Sequence, residues 1–235
     1  GFSPSQQSWI LNAFPIAAIV GMFFSNQFAD RTFAAEKFLA FSHLVGGLAM
    51  LGLAFIKSSP DALIFLTEHP TATWNPLAPF WPFFGLMMIH CLLYVPTISI
   101  TNSIAFAAMK DAQQEFGIVR MGGTIGWILA AWPFTFILVD WQKVHEANPQ
   151  GIVNWLGAVL SSGLTGGALK SATTWTFIVA GIASLLLAGY SFLLPHTPPK
   201  KASEGAGESL AWLEAVKLLK HPFVLVLWLV TLVDS

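Results

Sequence analysis

Three residues at helical spacing carry most of the chemistry this chain can offer. Arg120, Thr124 and Trp127 stand at i, i+4 and i+7, within about 60° of one another on a helical wheel. Together they supply a planar donor fork, a hydroxyl and a flat aromatic ring. Gly122, Gly126 and Ala130 fall roughly opposite, forming a shallow groove into which a neighbouring helix could pack.

The element that must position this face runs over residues 116–140, FGIVRMGGTIGWILAAWPFTFILVD. Between Glu115 and Asp140 its only charge is Arg120. About 24 mostly apolar residues are enough to cross a bilayer core. A charge inside hydrocarbon costs several kcal/mol unless water or a partner compensates, so an intramembrane ionisable residue is a functional candidate. Two readings of the spacing stay open. Arg120 faces a polar cavity, or it snorkels to the interface a turn and a half from the helix end.

Composition sets the class. The 235 residues are 55% hydrophobic and 10% charged, where soluble domains carry roughly 25% charged residues. Twenty Phe and ten Trp against two Tyr suit a lipid-facing surface. The net charge of -1 points away from a nucleic-acid partner. A single cysteine, Cys91, excludes a disulfide or cysteine metal site within the chain. No metal or cofactor pattern is present. No His-Glu-x-x-His, Gly-x-Ser-x-Gly or paired carboxylate motif lies in a span, so an enzyme is not expected.

The expected fold is an all-α membrane bundle. Spans are predicted at about 9–28, 38–56, 80–108, 116–140 and 173–194, with a further one starting at Pro222. Gly46, Gly47 and Gly52 are small packing residues of the second. Residues 152–160 are expected to form a short interfacial helix in an otherwise irregular loop. One set of loops holds seven basic residues, including Arg31, Lys37, Lys110, Lys200 and Lys201, and the other set holds three, Lys57, Lys143 and Lys170. The richer set is expected in the cytoplasm. The chain starts at Gly1 and is read as a fragment of a longer polytopic protein. Residues 1–194 would be an N-terminal bundle lacking its first helix. Residues 195–221 would be a cytoplasmic connector, flexible at first, then amphipathic through Leu210, Leu213, Val216 and Leu219. Residues 222–235 would start the seventh helix.

Polar residues cluster in two further places. The third span holds Pro96, Thr97, Ser99, Thr101, Asn102 and Ser103. Such density in mid-membrane marks a cavity wall or helix–helix hydrogen bonds, and Asn102 and Thr101 are the candidates for lining. The loop NQFADRTFAAEK holds Asp30, Arg31 and Lys37, expected to latch the cytoplasmic side. His43 and His90 are intramembrane histidines, read as packing residues rather than relays. Asp234 is the acid visible in the truncated helix.

Asp30, Arg31 and Lys37 resemble the loop signature of the major facilitator superfamily, with Asn26 where that signature has Gly. YVPTISITNSIAF (94–106), VRMGGTIGW (119–127) and LLPHTPPKK (193–201) together resemble the bacterial nucleoside:H+ symporter family of that superfamily. The resemblance covers nearly the whole chain in helix order. It implies a twelve-helix alternating-access transporter of the bacterial inner membrane, working on a nucleoside with a proton as coupling ion and no other cofactor. Its partners would be the lipid bilayer and the C-terminal half of the same protein. The family's fifth-helix substrate contacts map onto Arg120, Thr124 and Trp127, with Trp127 where Phe is common. The rival expectations are a facilitator for sugars or organic anions using Arg120 as a carboxylate clamp, and a non-transporting membrane scaffold, whose helices would enclose no polar cavity.

Overall fold

The computed structural model describes residues 2–21, 33–72, 74–199 and 220–226. Helix α1 (Pro4–Leu11) opens with a capping box. Ser3 Oγ accepts from Gln6 N, and Gln6 Oε1 accepts from Ser3 N at 2.9 Å. These caps start the helix five residues before the expected Trp9. A turn follows at Asn12, because Pro15 has no N–H for the Leu11 carbonyl, and residues 13–21 are helical again.

The other helices described in full are α2 (Ala35–Ala54), α3 (Pro60–Glu68), α4 (Phe80–Ala108), α5 (Ala112–Ile137), α6 (Trp141–Glu146), α7 (Gly151–Ser161) and α8 (Gly166–Ser191). Helix α4 has the predicted bounds. Helix α5 runs about four residues earlier than expected. Asp111 Oδ1 accepts from Gln113 N and Gln114 N at its start, and Asp140, expected inside the span, instead caps α6. Helix α8 starts seven residues before the expected Thr173. Gly166 takes the left-handed φ of 59° that launches it. The short helix α7 matches its expectation. Helix α3 lies in what reads as an irregular loop. Its signal is Ser59-Pro60, a cap accepting from Ala62 N followed by proline in the first turn.

Among the described residues, α2, α4 and α8 are long and apolar enough to cross a membrane, so the chain is an integral membrane protein. The 26 residues of α5 span about 39 Å, but Gln113, Gln114, Glu115, Arg120 and four glycines make it less apolar. The first predicted span continues outside the described residues, and residues 222–226 are the described part of the last.

Helices α2, α4 and α8 form the core. Gly47 and Gly181 let α2 and α8 cross closely: a Cβ on Gly181 would stand 2.6 Å from Leu51 Cγ and 3.1 Å from the Gly47 carbonyl. At one end of the bundle Leu39, Ile100 and Ile104 are buried together, with Leu194 against them. There the segment after α8 is tied to the start of α2. Buried Glu36 accepts from His196 Nδ1 at 2.7 Å and from Thr197 N at 3.0 Å, while Ala35 N donates to the Thr197 carbonyl at 3.0 Å. At the other end Phe2 packs against Phe80 and Phe83. Helices α6 and α7 close on Val139, Val144 and Val159, beside Phe136 and Trp155.

Asn26, Asp30 and Arg31 lie outside the described residues, as do Leu210, Leu213, Val216, Leu219 and Asp234. Lys37, expected in the loop, stands exposed in the first turn of α2.

Candidate functional site

Helices α4 and α5 are joined by the short connection 109–111. Near that connection Phe106 stacks on Phe116, with ring centroids 4.5 Å apart, and closes one end of the space between them. Beyond the stack lies a cavity of about 650 Å³, within the roughly 300–1,000 Å³ of small-molecule sites. Arg120, Thr124 and Trp127 line it from α5, and Thr101 and Asn102 from α4. The structure therefore brings together all five residues predicted from helical spacing and polar clustering.

The hydrogen-bond states of these side chains differ. The Thr101 hydroxyl donates to the Thr97 carbonyl at 2.7 Å, which leaves its lone pairs as acceptors. The other threonines of the described helices outside this face behave alike. Thr67, Thr97, Thr135, Thr173, Thr174 and Thr176 each donate to a carbonyl three or four residues back. Thr124 makes no such bond, so its hydroxyl can both donate and accept. Arg120 and Asn102 have no hydrogen-bond or ion-pair partner among the described residues. Arg120 thus keeps five N–H donors available, and Asn102 two donors and an acceptor. A guanidinium without a described carboxylate, in an otherwise uncharged stretch of helix, is left for water or a polar visitor to satisfy.

The ring of Trp127 is 74% exposed, so its face is open for stacking. No residue of α5 is buried, and a Cβ at Gly122, Gly123 or Gly126 would meet nothing within 4 Å. The groove predicted on the Gly122 side therefore holds no described helix. Gly123 has a different role: it lines the cavity and leaves the α5 backbone open to it.

The sequence pattern missed Tyr94, Phe116 and Gly123 in the wall. Tyr94 had a signal, since it shares the i, i+4, i+7, i+8 stripe of α4 with Ile98, Thr101 and Asn102. Asn102 also borders a second space of about 470 Å³ with Ser99, Ser103 and Thr197. Arg120, Asn102 and Thr124 thus form a polar lining, unlike a scaffold with purely apolar interfaces.

The chain matches the sequence profile of the nucleoside H+ symporter family over residues 1–170 and 150–235. Among curated proteins of Escherichia coli (strain K12), it is 30% identical to "Putative nucleoside transporter YegT" over 96% of this chain and 43% of that protein. It is 23% identical to the xanthosine permease over 97% of this chain and 43% of the permease. It is 22% identical to the nucleoside permease NupG over 82% of this chain and 35% of NupG. The chain spans less than half the length of these relatives. No solved structure matches it.

Proposed function

The chain belongs to the nucleoside H+ symporter family, and on that premise we propose that it forms a substrate-recognising bundle of a transporter that takes up nucleosides with protons. Transport proceeds by alternating access, the bundle rocking against a second half around a shared central site. The protein resides in a bacterial inner membrane.

The observation that carries this reading is the shared cavity, where Arg120 and Asn102 face one space without described protein partners. A nucleoside offers base carbonyls and ribose hydroxyls as acceptors, hydroxyl and amino groups as donors, and a flat base. Arg120 and Asn102 supply donors, and Thr101 supplies an acceptor. Thr124 serves the ribose hydroxyls in either sense. Trp127 supplies a stacking surface, worth roughly 1–3 kcal/mol per base where base–aromatic stacking has been measured by alanine substitution. Lys37, with Asp30 and Arg31, serves the cytoplasmic latch in this account.

Uptake of labelled uridine by the full-length protein in cells tests the reading. Unlabelled nucleosides should compete, and hexoses and carboxylates should not. Arg120→Ala should lower uptake at least tenfold at equal membrane abundance. Unchanged uptake would defeat the site, and competition by carboxylates instead of nucleosides would favour an anion facilitator.

A further inference from the structure

Tyr94 stands at the centre of α4, between Phe80 and Ala108. It is 41% exposed where it lines the cavity. Behind it are the two intramembrane histidines. His90 stacks on the Tyr94 ring with centroids 5.7 Å apart and planes at 16°. His43, on α2, meets the same ring edge-on at 6.5 Å.

The hydrogen bonds fix which nitrogen of each neutral ring carries the hydrogen. The Gly46 carbonyl can only accept, so His90 Nδ1, 3.1 Å away, donates to it. The Ser184 hydroxyl gives its one hydrogen to the His43 carbonyl at 3.0 Å. It can therefore only accept from His43 Nδ1, at 3.1 Å. Both rings are Nδ1–H tautomers, and both Nε2 atoms keep a basic lone pair without a partner among the described residues. Packing accounts for the Nδ1 side of each ring and leaves Nε2 unexplained.

We infer that His43 and His90, packed against Tyr94, form the binding site for the proton that is coupled to transport. The inference rests on the symport reading above and names where the proton sits. Either Nε2 takes a proton from a hydronium ion, breaking one O–H bond as the N–H bond forms, and the reverse step returns the proton to water. Neither Nδ1 hydrogen bond need break. The groups that face the pair are few. Helix α4 contributes Tyr94, with Cys91 turned towards Ala13 and Ala17. Helix α8 contributes Ser184, and Phe14 adds a ring against Tyr94. Among the described residues no carboxylate, lysine or arginine makes a hydrogen bond or ion pair with either ring, whose Nδ1 partners are Ser184 and the Gly46 carbonyl. A cationic His90 over the Tyr94 face lies within the roughly 6 Å reach of a cation–π attraction. Loading the proton therefore stiffens a wall of the substrate cavity, and losing it loosens that wall.

The test uses the full-length protein in liposomes. His43→Asn and His90→Asn, singly and together, keep an N–H near the Nδ1 position but do not titrate. Two fluxes are compared: nucleoside exchange at equal pH, and accumulation driven by an inward proton gradient. In the double variant, accumulation should fall at least tenfold more than exchange. Accumulation with the wild-type pH dependence would overturn the inference alone. Nucleoside exchange without any proton movement in the wild type would overturn the symport reading and this inference with it. If the double variant does not fold, nitrogen-15 spectra of wild-type histidines between about pH 5 and 8 decide. One of the two rings should gain charge in that window, and both staying neutral would overturn the assignment.

Discussion

Asn102 of α4 and Arg120 of α5 face one cavity, and neither has a hydrogen-bond partner among the described residues. Two polar side chains with free hydrogen-bonding groups on one cavity are what the proposed nucleoside site requires. Asn102→Ala removes a neutral hydrogen-bonding group, worth about 0.5–1.5 kcal/mol, so the uptake KM for uridine should rise roughly two- to twelvefold. Asn102→Asp keeps the shape but removes both N–H donors, and places a carboxylate opposite Arg120. It should pair with Arg120 and depress uptake further than alanine does. Initial-rate uptake of both variants measures the order.

Trp127 presents an open indole to the cavity. Trp127→Ala should raise KM about five- to 160-fold, from roughly 1–3 kcal/mol of lost base stacking. Trp127→Phe keeps a flat face and should recover most of that loss. Equal KM values for the alanine and phenylalanine variants would remove the indole from recognition.

Gly181 is where α8 crosses α2. An added methyl would meet the branch carbon of Leu51 at 2.6 Å and the Gly47 carbonyl at 3.1 Å, so the helices must separate. Gly181→Ala should destabilise the bundle by about 1–3 kcal/mol, read as a lower Tm in detergent. Gly122→Ala, where a Cβ meets nothing within 4 Å, is the contrasting case and should hold or slightly raise Tm, because alanine favours a helix interior over glycine by about 0.5–1 kcal/mol.

Glu36 is 5% exposed and holds both His196 and Thr197. Glu36→Ala leaves the Thr197 N–H without its acceptor and frees the strap after α8. The amides of His196 and Thr197 should then exchange with deuterium at least tenfold faster, in line with the roughly 1.5–3 kcal/mol of a hydrogen bond to a charged group. Unchanged exchange there would show that the Ala35–Thr197 backbone bond suffices alone.

Asp140 caps α6 and pairs with Lys143 at 3.2 Å. The Lys143 contact holds its carboxyl below the usual carboxylate range. A lowered carboxylate contributes stability above its unfolded pKa and loses it as pH falls through the folded value. Amide protection over 141–146 should be flat from neutral pH down to about pH 4 and fade below it. Asp140→Ala should abolish that pH dependence.

Much of the site was legible because α-helical spacing is fixed by geometry. Arg120, Thr124 and Trp127 had to share a face of α5 wherever that helix packed. The bounds of α4 were legible too, since an apolar run closes at Met109 before the charged Lys110. Helix ends set by caps were harder. Ser59-Pro60 and Thr165-Gly166 sit in Pro- and Gly-rich stretches that read as loop, yet one stretch caps α3 and the other launches α8. Tertiary pairings were not legible. Nothing local in AAEK says that Glu36 meets a histidine 160 residues later, or that Tyr94 lies between a cavity and two imidazoles.

The most direct measurement is equilibrium binding of tritiated uridine to purified full-length protein, comparing wild type, Arg120→Lys and Arg120→Ala, each confirmed folded by its Tm. Lysine keeps the charge but loses the planar fork. If the cavity between α4 and α5 holds the nucleoside, both variants should bind at least tenfold more weakly, alanine more so than lysine. Wild-type affinity in Arg120→Ala would contradict the account.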